Sequence, residues 1–145
     1  MGYPVRVQIP PPAGVGMEIE RLIERAKESR KRAYAPYSGF KVGAVIVTEE
    51  GKIYEGANIE NASYGLTICA ERVALFKAVS EGERRFSAIV IYTHTDEPTY
   101  PCGACLQTLS EFTGDLRIII AYKKGKVSYN LYQLLPKRFM KPHSV

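Results

Sequence analysis

Two apolar runs, Ala88-Ile89-Val90-Ile91-Tyr92 and Ile118-Ile119-Ile120-Ala121, decide the fold of this 145-residue chain. Neither alternates apolar with polar residues, so each reads as a strand buried on both faces of a covered sheet. Between them, residues from Gly103 to Phe112 have helical spacing, which makes a strand–helix–strand unit with an expected right-handed parallel crossover. Upstream, Val42–Thr48 and Ile53–Asn58 flank Glu49-Glu50-Gly51 and predict a β-hairpin. A second helix runs from about Cys69 to Ser80 and is stopped by Gly82. Ile19, Leu22, Ile23 and Ala26 place an amphipathic helix over Met17–Ala33, ended by Ala35-Pro36-Tyr37-Ser38-Gly39. After the Lys124-Gly125 turn come a short strand near Val127 and a short helix near Leu131–Leu135. The fold class is therefore α/β, a three-layer α/β/α arrangement with a mixed sheet of about five strands. Residues 1–16, with Pro10-Pro11-Pro12, read as an irregular leader, and 17–145 as one domain.

Composition narrows the function. At 46% hydrophobic and 24% charged residues the chain is an ordinary globular protein, not a disordered one. No apolar run approaches the ~18–20 residues of a membrane span, and the leader has no signal-peptide apolar region. Three cysteines, an odd number, argue against a disulfide framework and for a reducing compartment, so a cytoplasmic location is expected. The net charge of +5 is mild; the basic residues between Arg21 and Arg32 share their helix with Glu18, Glu20, Glu24 and Glu28, the pattern of a solvated helix face.

The chemistry gathers around those cysteines. Cys102-Gly-Ala-Cys105 alone is also a redox dithiol, and Cys69 alone is also a core residue. Together they supply three thiolates, which leave the fourth tetrahedral position of a zinc ion open to water. Both clusters fall at predicted helix N-termini, where unpaired N–H groups and the positive dipole end favour thiolates. Glu71 stands two residues after Cys69, where it could move protons to and from that water. On a regular helix residues i and i+2 point about 200° apart, so spacing alone does not bring Glu71 to the metal. Three thiolates outweigh a divalent ion by one charge, and Arg72 is the nearby cation to offset it.

The chain resembles the small zinc-dependent cytidine deaminases from Leu22 to Phe139. The resemblance lies in Ala35-Pro36-Tyr37-Ser38-Gly39-Phe40-Lys41-Val42-Gly43-Ala44, Asn58-Ile59-Glu60-Asn61-Ala62-Ser63-Tyr64, Cys69-Ala70-Glu71-Arg72, Pro101-Cys102-Gly103-Ala104-Cys105 and Leu134-Leu135-Pro136. It implies hydrolytic deamination of cytidine and deoxycytidine in pyrimidine salvage, with Zn2+ on Cys69, Cys102 and Cys105 and Glu71 as the proton shuttle. It further implies that Asn58 and Glu60 bind the ribose hydroxyls, that Phe40 packs on the base and that Ala70 lies in the substrate site. A homotetramer with shared sites is implied too, Ala62, Tyr64 and Phe139 reaching a neighbour's substrate.

Two other readings stay open. One keeps the chemistry and changes the substrate to a blasticidin-like nucleoside or an RNA base, although no aromatic-basic interleaving marks a polynucleotide channel. The other is a binding module with a structural zinc, whose fourth ligand would be His94 or His143. The chain also departs from the family at Tyr100, where a small residue is usual, and at Leu106, where an arginine usually follows the cysteine pair. Without that arginine the metal's water is expected to be slightly less acidic. A Leu106→Arg variant should therefore reach its pH optimum slightly lower; overlapping pH–rate profiles would contradict this.

Overall fold

A computed structural model describes residues 19–142. The leader and His143 thus lie outside the described residues. Five strands form one sheet in the order β2-β1-β3-β4-β5. They are β1 (Val42–Thr48), β2 (Ile53–Ala57), β3 (Phe86–Thr93), β4 (Arg117–Tyr122) and β5 (Gly125–Asn130). β1 pairs antiparallel with β2 and β3, β4 antiparallel with β5, and β3 parallel with β4. The parallel pair is joined through α3 (Gly103–Phe112), as the two apolar runs predict.

Along each central strand the side chains alternate between two buried faces. Ala44, Ile46, Ile89, Ile91, Ile118 and Ile120 pack under α2 (Ala70–Ser80), α3 and the short α4 (Leu131–Leu134). Val45, Val47, Val90, Tyr92, Ile119 and Ala121 face the opposite way, onto Leu22 and Ala26 of α1 (Ile19–Arg30). Each such aliphatic side chain taken out of water contributes about 1.5–3 kcal/mol. Continuous apolar sequence is the signature of this arrangement, because both faces of the sheet are covered.

Several boundaries differ from the sequence reading, for local reasons. α1 ends at Arg30 rather than Ala33, because Lys31, Arg32 and Ala33 tighten into i→i−3 bonds and Tyr34 then bridges to Ile59. β2 stops before Asn58, whose amide turns back to the chain at Phe40 and Val42. β3 extends to Phe86 and Thr93, since sheet pairing continues through residues the apolar run does not include. α2 begins at Ala70, with Cys69 as its N-cap in extended conformation at φ −71°, ψ 154°.

Two glycines set how closely the helices approach the sheet. A Cβ on Gly43 would lie 2.0 Å from the Ala26 carbonyl oxygen of α1. One on Gly56 would lie 2.4 Å from the Ala74 nitrogen and 2.6 Å from the Ala70 oxygen of α2. Ser29, fully buried on α1, donates to the Gly56 carbonyl at 2.6 Å and ties the two contacts together. The first turn of α2 is thereby seated directly on the β2 backbone.

Gly56→Ala is expected to cost about 1–3 kcal/mol of stability through overpacking. It should also weaken zinc binding by about tenfold or more, since displacing α2 displaces Cys69. Denaturant melts and zinc titrations of the variant check this; wild-type zinc affinity would contradict it.

Candidate metal centre

α2 and α3 present their N-termini to one place. Cys69 caps α2; Cys102, at φ −74°, ψ 166°, caps α3 and its Sγ accepts from the Cys105 amide at 3.4 Å. Cys105 lies one turn into α3 and is fully buried. The three sulfurs lie within 4.8 Å of one another, with Cys69 and Cys102 Sγ 3.9 Å apart. Zinc–sulfur bonds of ~2.3 Å at tetrahedral angles require sulfurs ~3.8 Å apart, so the arrangement fits a zinc ion. Among the described residues these cysteines form the group able to hold a metal; His94 instead contacts the Tyr92 hydroxyl through Nδ1 at 2.9 Å. Three protein ligands leave one position open, which is the pattern of a catalytic rather than a structural site.

The surrounding charges are arranged for this. Arg72 Nη2 donates to Cys69 Sγ at 3.5 Å, and its buried Nε has no hydrogen-bond partner among the described residues. The Cys69 thiol is pushed down to about 5, chiefly by the hydrogen bond from Cys105 and then by Arg72. That same bond, with burial and the neighbouring charge of Glu71, pushes Cys105 up. Without metal, then, Cys69 and Cys105 hold a proton between them, and a bound divalent ion has to displace it.

Glu71 is only 5% exposed. Burial raises its carboxyl to about 7, although its own backbone N–H, Arg72 and the Cys105 thiol favour the ionised form. The 200° objection does not apply, because Cys69 is an extended N-cap and not a helical residue. Its side chain approaches from outside the first turn while Glu71 enters from within it.

A second group of residues lies along the chain at 34–67. Asn58 accepts from the Val42 amide and donates to the Phe40 carbonyl, both at 2.8 Å. The Glu60 carboxylate accepts from the Tyr37 and Ser38 amides at 2.8 and 3.1 Å and from the Ser38 hydroxyl, which lowers its pKa. Both side chains thus shape the loop that carries Phe40, itself partly exposed. Tyr37, Ser38, Glu60, Asn61, Tyr64 and Thr67 line a 340 Å³ recess. Ala62 and Tyr64 are exposed, and the Tyr64 ring meets that of Tyr37 edge-on at 6.1 Å. Ala70 is fully buried against β2, so its main-chain N–H in the first turn is what it can offer a ligand.

Phe139 is 70% exposed, yet its backbone is fixed by a two-way bond with the Gln107 amide at 2.9 and 3.1 Å. Arg138 holds the same segment by donating to the Ser110, Thr113 and Gly114 carbonyls at the end of α3. Arg138 and Gln107 escaped the sequence reading, since their partners are backbone atoms about 25 to 32 positions away. Leu106 is buried in the core between α3 and the sheet. An arginine there would lose that apolar packing.

Comparison with known proteins agrees with the geometry. Residues 17–122 match the family model of the cytidine and deoxycytidylate deaminase zinc-binding region. The cytidine deaminase of Sporosarcina psychrophila is 46% identical over 127 residues, 86% of this chain and 93% of that protein. The cytidine deaminase of Halalkalibacterium halodurans is 46% identical over 125 residues, 85% of this chain and 95% of that protein. A crystal structure of cytidine deaminase from Burkholderia pseudomallei superposes with a TM-score of 0.82 at 46% identity, covering 85% of this chain and 100% of that one.

The raised Glu71 carboxyl has a consequence for stability. A carboxyl at about 7 when folded and 4.5 when free binds more protons in the native state, so stability falls as pH rises through that window. The full effect is about 3 kcal/mol. Metal-free Glu71→Gln should therefore melt higher than metal-free wild type at pH 8, with the difference shrinking as pH falls toward 4.5. A difference independent of pH would contradict the assignment.

Proposed function

We propose, since this chain belongs to the cytidine and deoxycytidylate deaminase family, that it hydrolyses cytidine and deoxycytidine to uridine and deoxyuridine in pyrimidine salvage. The observation that carries the reading is Glu71, buried against Cys105 with its carboxyl raised to about 7, beside three sulfurs that leave one zinc position open. Zinc on Cys69, Cys102 and Cys105 would supply a water whose pKa lies near neutrality. In the reaction C4 gains the water oxygen and loses its amine; one water proton ends on ring N3 and the other leaves with ammonia. Glu71 is suited to both transfers, because a carboxyl titrating near the working pH accepts and returns a proton with little penalty. Arg72 remains charged and offsets the excess thiolate charge.

For the substrate, Asn58 and Glu60 are assigned to the ribose hydroxyls, Phe40 to the face of the base and the Ala70 N–H to a polar edge. Asn58 retains a second N–H and Glu60 retains free lone pairs after holding the loop, which suits hydroxyls that both donate and accept. Ala62, Tyr64 and Phe139 are assigned to the site of a neighbouring copy. Supporting this, Ile59, Leu66 and Phe76 are exposed along a groove that Ile68 and Val73 complete. An apolar face of that kind fits a second copy of the chain, and the assembly proposed is a homotetramer. Residues 17–145 are proposed as the catalytic unit following a 1–16 leader, working in the cytoplasm, where thiols stay reduced. Among the described residues no helix is long and apolar enough to cross a membrane.

Cytidine absorbance followed with zinc-loaded wild type and Glu71→Gln at equal zinc content tests the reading. Wild type should consume cytidine and sediment as a tetramer, and the variant should be slower by at least about 10²-fold. Wild type that retains zinc and leaves cytidine untouched would refute the proposed substrate.

A further inference from the structure

We infer that Tyr100, through its contact with the buried Tyr129, is a positioning residue for the metal ligand Cys102. The inference rests on the proposed function only in taking Cys102 as a zinc ligand.

The three ligands are held differently. Cys69 follows Ile68, which exchanges backbone hydrogen bonds with Ile59 in both directions at 2.9 Å. Cys105 is buried inside α3. Cys102 is exposed and ends a segment, 94–101, without regular structure. Among the described residues, 98–101 make no backbone–backbone hydrogen bond, and Pro101 has no N–H to give. Side chains hold this approach instead. Thr93, 1% exposed on β3, donates to the Thr99 hydroxyl at 3.1 Å. Tyr100 follows, its hydroxyl 3.2 Å from that of Tyr129 and the two rings 5.8 Å apart at 59°.

Tyr129 is a rigid anchor. It is 3% exposed, packs in the core under α2 and α3, and lies on β5 opposite Ile118. Its hydroxyl is pushed up to about 12, the hydrogen bond with Tyr100 being the largest cause, so it stays protonated at any working pH. Tyr100 is thus the last side-chain anchor before the ligand pair, two residues from Cys102. Groups that orient a metal ligand are typically worth 10- to 100-fold in affinity.

Tyr100→Phe and Tyr129→Phe keep both rings and remove one hydroxyl each; Tyr132→Phe, an exposed tyrosine on α4, serves as control. Zinc dissociation constants would be read by chelator competition, and the thiolate-to-metal and ligand-field bands in cobalt-substituted protein. Each single variant should bind zinc about tenfold more weakly with shifted cobalt bands, and the double variant should be no worse than Tyr129→Phe alone. The control should match wild type. Metal-free melting that falls while zinc affinity and cobalt bands stay at wild-type values would overturn the inference, leaving the tyrosine pair a packing contact. Because neither readout needs turnover, failure on cytidine would not be mistaken for failure here.

Discussion

Three cysteine sulfurs within 4.8 Å form a cluster that, fully ionised, carries three negative charges. Bringing them together without a cation is costly, and the structure shows how far the protein has gone to make it possible. Cys69 and Cys102 cap α2 and α3, Arg72 donates to Cys69, and the hydrogen bond between Cys69 and Cys105 pushes one thiol down and the other up. Each helix must then be fixed against the sheet to a fraction of an ångström. The glycine contact at Gly56 does this for α2, and the loop anchored on Thr93 and Tyr129 leads into α3. Much of what is particular about the fold on this side of the sheet serves that convergence.

The same crowding tunes Glu71. It is buried because α2 sits tightly on β2, and burial is the main reason its carboxyl titrates near 7. Tight packing and the raised Glu71 carboxyl go together in this chain, so a change in the helix–sheet contact should shift both.

Much of the architecture was legible in the sequence. The hairpin, the parallel pair and α3 could be read because apolar runs and turn residues mark their ends. The three sulfurs could be read as one site because few chemistries need three cysteines and a nearby acid. What remained hidden depends on contacts between distant backbone atoms. Spacing does not show that Asn58 turns back onto Phe40 and Val42, that Glu60 holds Tyr37 and Ser38, or that Gln107 fixes Phe139. The geometry of Glu71 was hidden for a different reason: one residue of uncertainty at a helix start decides whether Cys69 is a helical residue or its cap. Here it is the cap, and the site closes.

X-ray absorption at the zinc edge of the wild-type protein, without substrate, tests the central claim most directly. An open three-thiolate centre predicts one zinc per chain with three sulfur scatterers at ~2.3 Å and one oxygen at ~2.0 Å. A fourth protein ligand, seen as another sulfur or as the multiple scattering of an imidazole, would contradict it and leave a closed, structural zinc in its place.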